Sequence, residues 1–441
     1  MRQNLYTIAP ERPFLATLAD GLISMTAGDP LLLPRVTILL PTRRAVRSLR
    51  EAFLRATAEG RPLLLPRMRA IGDLDSEELS LTDGLGDEGS LAVPPAIPEL
   101  RRRLLLTQLV LRWSERRNGE PLFPGQAAAL AASLVRLLDR VATEGASFER
   151  IHDLVPANLA EHWQTVRRFL EILPRHWPDI LAAEGALDPG ERRNRLLAQQ
   201  AALWRRSPPR DPVVAAGLTG GVPAMTELLS VVAELERGAV ILPGLDRSRD
   251  DEEWRAIEED EAHPQHLMAD LLRTLGLTPA QVRDWPPERA CGQAPDFAEL
   301  SDLPLFSRLA SASNVPNPDW DESGRVQRLW LVAEALRPAD TTGYWRRLPP
   351  QPADALVGVS RFDCLSPHHE ALTIALLLRR QLETPGATAA LVTADRELAR
   401  RVAAELRRWE VEIDDSAGLP LNRTPPGNYA ARSLPTAMPK T

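Results

Sequence analysis

The sequence predicts an α/β fold, because short apolar runs typical of buried strands alternate with segments that carry apolar residues at helical spacing. Two strand–helix pairs open the chain, a long helical stretch follows, and the strand–helix alternation then returns. The chain of 441 residues is long enough for about two to four domains, each with a core of its own.

The opening segment alternates strands and helices in the way that builds a parallel sheet. The strand candidates are Leu5–Ala9 and the apolar run Val36–Leu40, which ends at Pro41. Each is followed by a helix with one apolar face, formed by Phe14, Leu15, Leu18 and Leu22 in the first and by Val46, Leu49 and Phe53 in the second. Residues 1–98 are therefore the first part of an α/β domain, closed by an acidic loop over residues 73–98.

The middle of the chain reads as a helical insertion in that domain. Residues 99–206 show helical periodicity throughout. The sheet pattern then returns over residues 207–300, with strands at Pro212–Gly217 and Ala239–Pro243 on either side of a helix at Met225–Leu235. Residues 301–354 form a Pro-rich connecting region.

A second α/β unit is predicted over residues 355–420. Its strand candidates are Leu356–Phe362, Ala389–Val392 and the segment that begins at Val411. One helix opens at Ser366 and Pro367, and another carries Leu398, Val402, Leu406 and Trp409. A parallel sheet needs more strands than these to cover its faces, so we expect this domain to be incomplete and the polypeptide to be truncated. Residues 421–441 lack periodicity and are predicted to be an irregular tail.

Charge and cysteine content restrict the class of protein. The formal charge of −7 gives no overall basic field to recruit nucleic acid, which argues against a stand-alone DNA-binding protein. The two cysteines, Cys291 and Cys364, are too few for a disulfide framework or a four-thiolate metal site. No apolar run of membrane-spanning length and no secretory signal pattern is present, so we expect no membrane association and a reducing, cytoplasmic setting.

The first candidate site is Thr42 with Arg43 and Arg44, directly after the strand that ends at Leu40. Parallel α/β sheets bind ligands at the carboxyl ends of their strands. A hydroxyl and two arginines there suit DNA phosphates. The alternative is a solvated helix start, although arginines at a helix amino terminus oppose the helix dipole.

The second candidate is the turn Gly217–Gly221, in which Gly217, Thr219 and Gly220 follow a strand and precede a helix. Its backbone N–H groups suit an anion, or it is simply a tight turn. A phosphate-binding P-loop needs a lysine followed by serine or threonine, and the only lysine is Lys440. A self-sufficient ATP-driven motor is therefore excluded.

Other polar clusters predict no metal site and no catalytic residue in this chain. His368 and His369 are adjacent and point in different directions on a helix, and His263 with His266 has no third ligand nearby. The arginines of 101–103 make one helix basic, which indicates either a nucleic-acid contact or a solvated face. No nucleophile motif is present.

Several segments together resemble AddB, the second subunit of the bacterial AddAB helicase–nuclease, which processes double-strand breaks for recombination. The resemblance is carried by Val36–Ala45 (VTILLPTRRA), Ala215–Ala224 (AAGLTGGVPA), Val240–Asp246 (VILPGLD), Ala389–Ala399 (AALVTADRELA) and Ile413–Gly418 (IDDSAG). It covers residues from about 4 to 421, which is nearly the whole chain, and it corresponds to the amino-terminal part of that family only. Each segment is unspecific alone, and the set is distinctive.

The resemblance implies a superfamily 1 helicase-like architecture of RecA-like domains with an all-helical insertion. It also implies a heterodimer with an AddA-type helicase–nuclease subunit and contact with DNA. Thr42 and Arg43 match the family's strand-end motif that faces DNA, and Gly217, Thr219 and Gly220 match a motif that couples nucleotide and DNA sites. ATP and Mg belong to the complex, and the family's iron–sulfur cluster is expected only in a carboxyl-terminal nuclease domain.

The expected function is therefore a non-catalytic, helicase-like scaffold and DNA-contacting surface in recombinational repair. The alternative is a stand-alone α/β protein that binds a nucleotide or anion at residues 217–221. A third hypothesis, a DNA-binding module that acts alone, is disfavoured by the negative net charge of the chain.

Overall fold

Six short strands form one parallel sheet in the computed structural model, which describes residues 4–26, 31–57, 63–71, 93–115, 122–148, 161–286, 322–348, 353–418, 424–427 and 429. The strands of these described residues are β1 (Leu5–Ile8), β2 (Thr37–Leu40), β3 (Arg67–Ala70), β4 (Val213–Ala216), β5 (Gly238–Pro243) and β6 (Arg283–Asp284). Their order across the sheet is β3-β2-β4-β5-β1-β6, and every neighbouring pair is parallel. The predicted α/β class is confirmed.

Most of the remaining described structure is helical. The α-helices are α1 (Phe14–Met25), α2 (Arg43–Ala56), α3 (Glu99–Glu115), α4 (Pro124–Glu144), α5 (Glu161–Leu170), α6 (Ile172–Ala183), α7 (Pro189–Arg206), α8 (Pro223–Glu234), α9 (Asp251–Glu259), α10 (His266–Leu275), α11 (Glu322–Ala335), α12 (Pro367–Gln381) and α13 (Arg396–Arg407). The chain forms two compact units, Met1–Ala355 and Leu356–Thr441.

The sheet of the first unit is covered on both faces because its strands are apolar on both sides. In β2, Ile38 and Leu40 point into the core formed with α1 and α2, whereas Leu39 points into the core formed with α7, α8, α9 and α10. The same alternation recurs in β1, β4 and β5. The predicted helices α1, α2 and α8 lie where the apolar spacing placed them.

Five helices, α3 to α7, lie between β3 and β4 along the chain. Buried side chains of α3, α4 and α6 form a separate apolar core, which includes Leu106, Leu134 and Trp177. The helical periodicity around Leu170 and Trp177 corresponds to two helices, because α5 ends at Leu170 and α6 begins at Ile172. Helical structure over the described part of residues 99–206 is confirmed.

The strands β3 and β6 and the helix α9 of the first unit were not predicted. The edge strands β3 and β6 are short and carry arginine or aspartate, so they lack an apolar run. The acidic stretch after Asp246 forms α9. Asp250 caps this helix by accepting a hydrogen bond from the Glu253 N–H. The described part of the connecting region, residues 322–348 and 353–354, contains α11 and a 3-10 segment, Ala339–Arg347.

The second unit departs from its predicted strands. Its helices α12 and α13 pack together through Ala375, Val402 and Leu406, as their spacing predicted. The segments predicted as strands, Leu356–Phe362, Ala389–Val392 and the one from Val411, are not strands in the described residues 353–418. A segment is a strand only when a neighbouring segment pairs with it through backbone hydrogen bonds, and no such strand pairing is assigned within residues 353–418.

Some predictions lie outside the described residues. They concern the loop over residues 73–92, the thiol of Cys291, and most of the tail over residues 421–441. The acidic loop is described only from residue 93 onwards.

Candidate nucleic-acid interface

A topological switch point lies between the neighbouring strands β2 and β4. The chain leaves β2 into α2, which packs on one face of the sheet, and leaves β4 into α8, which packs on the opposite face. Such divergence opens a crevice at the carboxyl ends of the two strands, which is where open α/β sheets bind ligands. The two sites predicted from the sequence, at residues 42–44 and 217–221, follow directly after these two strands.

Thr42 is the amino-terminal cap of α2. Its backbone is extended, with φ −139° and ψ 158°, and its Oγ1 accepts a hydrogen bond from the Ala45 N–H at 3.0 Å. A threonine in this position satisfies one of the amide groups that the first helical turn leaves without a partner. Thr42 therefore has a structural role as a helix cap. Its hydroxyl group can still donate a hydrogen bond to a phosphate oxygen.

Arg43 and Arg44 are the first two residues of α2, and both side chains are exposed. The first turn of α2 carries no acidic residue. A cation in the first turn of a helix is unfavourable by roughly 0.3–1 kcal/mol, because the helix dipole is positive at that end. The helix dipole therefore does not account for this pair.

The glycines of the second predicted site are required by the backbone. Gly217, Gly220 and Gly221 have φ values of 71°, 89° and 88°, which residues with a side chain rarely adopt. The Gly217 N–H donates to the Ile241 carbonyl at 3.0 Å, which ties the start of the turn to β5. The helix that follows begins with Pro223, which has no N–H to offer an anion. The tight-turn interpretation therefore explains most of this motif.

The structure brings only part of the second site to the first. A Cβ placed on Gly217 would lie 3.8 Å from Pro41 Cδ and 3.5 Å from the ring of Phe14, so Gly217 adjoins the end of β2. Gly220 instead faces α8 and α10, with Thr226 Oγ1 of α8 at 3.0 Å and Leu271 Cβ of α10 at 3.7 Å from such a Cβ. Thr219 lies between them and is half-buried. Gly217 alone of the second site therefore adjoins the end of β2, directly after which Thr42, Arg43 and Arg44 begin the first site.

A buried charge cluster that sequence reasoning missed follows β5 at the same edge. Arg249 donates to Asp246 at 3.0 Å and to Glu334 of α11 at 2.7 Å. Arg337 donates two hydrogen bonds to Glu334, both at 2.9 Å, and also contacts Glu253 of α9. Arg249 and Glu334 are 85 residues apart in the chain, so no local sequence pattern predicts their contact. The cluster fixes α11 against α9.

Asp246 belongs to this cluster, and its contacts lower its pKa. Burial alone would raise this pKa, but hydrogen bonds from the Ser248 hydroxyl and N–H, together with the charge and hydrogen bond of Arg249, hold it below its ordinary value. Asp246 is therefore ionised and internally satisfied. It serves as a structural anchor for the loop after β5.

The remaining polar candidates have structural partners. The basic helix predicted around 101–103 is α3, in which Arg101 pairs with Glu184, Arg103 pairs with Glu99, and Arg102 is buried. His263 Nδ1 accepts from the Gln265 N–H, and within the described residues no three metal-ligating side chains converge.

Comparison of the chain with protein-family models and with curated proteins finds no match. In the part of the chain that the structure describes, none of the helices combines the length and apolar character needed to cross a membrane.

Proposed function

We propose that this chain is the non-catalytic, helicase-like portion of an AddB-type subunit of a helicase–nuclease that repairs DNA double-strand breaks. In this role it is a scaffold and a DNA-contacting surface, and Arg43 and Arg44 contact DNA phosphates. The supporting observation is the switch point between β2 and β4, at which these two exposed arginines begin α2 beside the Gly217 turn.

The finer architecture belongs to the same proposal. The parallel sheet would be a RecA-like domain, and α3 to α7 would be its helical insertion. Their support is the position of these helices between β3 and β4 and the separate core of α3, α4 and α6. The second unit would be the start of another RecA-like domain, of which α12 and α13 are formed here.

The sequence of the loop between β1 and α1 supports the proposal that nucleotide is bound by the partner subunit. In a P-loop protein the strand-to-helix loop donates backbone N–H groups to the phosphates. Here Pro10 and Pro13 occupy that loop, and proline has no N–H. These residues do not fit a triphosphate. ATP and Mg would then be bound by an AddA-type subunit, and the iron–sulfur cluster by a nuclease domain in the complex.

Partner binding is tested by co-expressing the full chain with an AddA-type subunit in the cytoplasm of a bacterial host, followed by size-exclusion chromatography. Co-elution as a stable heterodimer supports the subunit assignment. Separate elution of two folded chains contradicts the proposed partnership.

DNA contact is tested in that complex with the variant Arg43→Ala/Arg44→Ala. Losing two phosphate contacts should reduce the slope of log affinity against log salt by about 1.4 for single strands or about 1.8 for duplex. The matched control is Arg101→Ala/Arg103→Ala, because both of these arginines pair with carboxylates on the helical region. An unchanged slope in the first variant contradicts the assignment.

The alternative, a stand-alone protein that binds a nucleotide or anion at residues 217–221, uses the same sheet edge. The positive φ values of Gly220 and Gly221 place two backbone amide groups in the loop after β4, which is the observation in its favour. Binding of a labelled nucleotide by the isolated chain, lost on Gly217→Ala, would support it over DNA contact.

A further inference from the structure

Helix α2 has two chemically different flanks on either side of its buried face. Its buried face consists of Val46, Leu49 and Phe53, which pack on the sheet. One flank faces α1 across a groove of about 700 Å³, which α2 lines with Ser48, Glu51, Ala52 and Arg55. The other flank therefore faces away from α1, toward β3, the edge strand that α2 also contacts.

The flank that faces away from α1 is basic. Arg43, Arg47 and Arg50 follow one another at i, i+4 and i+7, so they lie on one side of the helix, and all three are exposed. At 1.5 Å per residue they extend over about 10 Å of the helix axis. They begin at the switch-point crevice and lead away from it along the surface.

The flank that faces α1 is different in charge. Asp20 of α1 and Glu51 of α2 line its groove, and Arg55 is paired with Glu51 at 3.5 Å. The carboxyl group of Asp20 is partly buried, and this desolvation raises its pKa. A polyanion that leaves the crevice would be repelled on this side and attracted on the other.

We propose that nucleic acid leaves the sheet edge along the basic flank of α2, with its phosphates contacting Arg47 and Arg50 after Arg43. This inference rests on the proposed function, because it extends the contact at residues 43 and 44 into a directed path. The arginine fork binds phosphate oxygens without reading sequence, so the path is independent of base identity. It gives the bound strand one course across the surface, over the β3 side and not over α1.

The test uses the full chain, alone and with its AddA-type partner, and an oligonucleotide series in buffers from 50 to 200 mM salt. The variant is Arg47→Ala/Arg50→Ala. Between 50 and 200 mM salt the affinity of each protein falls by some factor. Because the variant lacks two phosphate contacts, this factor should be about seven to twelve times smaller for the variant than for the unaltered chain. The variant Arg47→Lys/Arg50→Lys keeps the charges and should recover most of the salt dependence.

The matched control is Arg55→Ala on the opposite flank of the same helix, which should leave the salt dependence unchanged. If Arg55→Ala has the same effect as Arg47→Ala/Arg50→Ala, or if the latter has no effect in a folded chain, the path is overturned. Folding is checked by circular dichroism and by the thermal transition.

Failure of this inference is distinguishable from failure of the proposed function. If Arg43→Ala/Arg44→Ala weakens binding while Arg47→Ala/Arg50→Ala does not, the contact at the crevice stands and the path along α2 is wrong. If neither double variant changes binding, both the path and the proposed DNA contact are overturned.

Discussion

Arg102 and Asp188 are joined by two parallel hydrogen bonds inside the helical region, from Nε to Oδ2 at 3.0 Å and from Nη2 to Oδ1 at 2.9 Å. The guanidinium is almost fully buried, with its side chain 2% exposed. Asp188 also accepts from Trp177 Nε1 at 3.2 Å and is the residue before α7. One carboxylate thus joins α3, α6 and the start of α7.

Replacing Asp188 by Ala should destabilise the first unit severely. Arg102 would keep Asp139 as a close partner, but its buried charge would lose two hydrogen bonds. Removing one member of a buried pair typically costs about 3–5 kcal/mol. Urea unfolding followed by circular dichroism measures this loss. Glu184→Ala, which breaks the exposed pair with Arg101, is the control and should change little. Equal effects of the two substitutions would contradict the structural role of the buried pair.

Gly21→Ala should destabilise the packing of α1 against the aromatic pair at the sheet edge. A Cβ on Gly21 would lie 2.5 Å from Trp285 Nε1, and Trp285 packs edge-on against Tyr6 with ring centroids 5.4 Å apart. Overpacking of this kind costs about 1–3 kcal/mol. Gly125→Ala in α4, where nothing lies within 4 Å of the new Cβ, should be neutral or stabilising. A shift in tryptophan fluorescence together with the urea midpoint reports the difference.

Asp246 predicts a specific loss of stability in acid. Because its pKa is lower in the folded chain than in the unfolded chain, it stabilises the fold above the ordinary carboxyl pKa, which is about 3.9. That contribution disappears as pH falls through the folded-state pKa. Asp246→Asn should therefore be less stable than the unaltered chain at pH 7, with the difference shrinking below about pH 4. A difference in unfolding free energy that stays constant from pH 7 to pH 3 would contradict the shift.

Thr42 allows capping to be separated from phosphate contact. Thr42→Ala should cost about 1 kcal/mol, because the Ala45 N–H loses its acceptor. Thr42→Asp and Thr42→Asn both preserve a cap, so both should keep the thermal transition close to that of the unaltered chain. Only Thr42→Asp adds a negative charge beside Arg43, and it should weaken DNA binding more than Thr42→Asn does. Equal binding by the two would remove Thr42 from the interface.

Much of the sheet and both candidate sites could be predicted from the sequence because their signals are local. Val36–Leu40 and Ala239–Pro243 are apolar runs, and the residues after parallel strands must meet at one edge of the sheet. The neighbourhood of Thr42 and Gly217 follows from that rule once β2 and β4 are known to be adjacent.

The rest depends on contacts that a local pattern does not encode. The edge strand β3 reads Arg-Met-Arg-Ala and becomes a strand only through its bonds to β2. Val392 carries strand-like sequence around it, yet it is 93% exposed in a segment without a pairing neighbour. Glu253 and Arg337 meet across a long separation in the chain, so neither residue alone predicts the cluster.

The charge cluster between α9 and α11 also determines where the polypeptide can be divided for expression in pieces. Composition suggests a cut in the proline-rich stretch of residues 301–354. A cut before Glu334 would separate Arg249 and Glu253 from Glu334 and Arg337, whose side chains are 4–8% exposed, and would expose two charged groups to water on each half. A fragment that ends at Ala355 keeps the cluster whole, and it is the piece that should fold and crystallise independently.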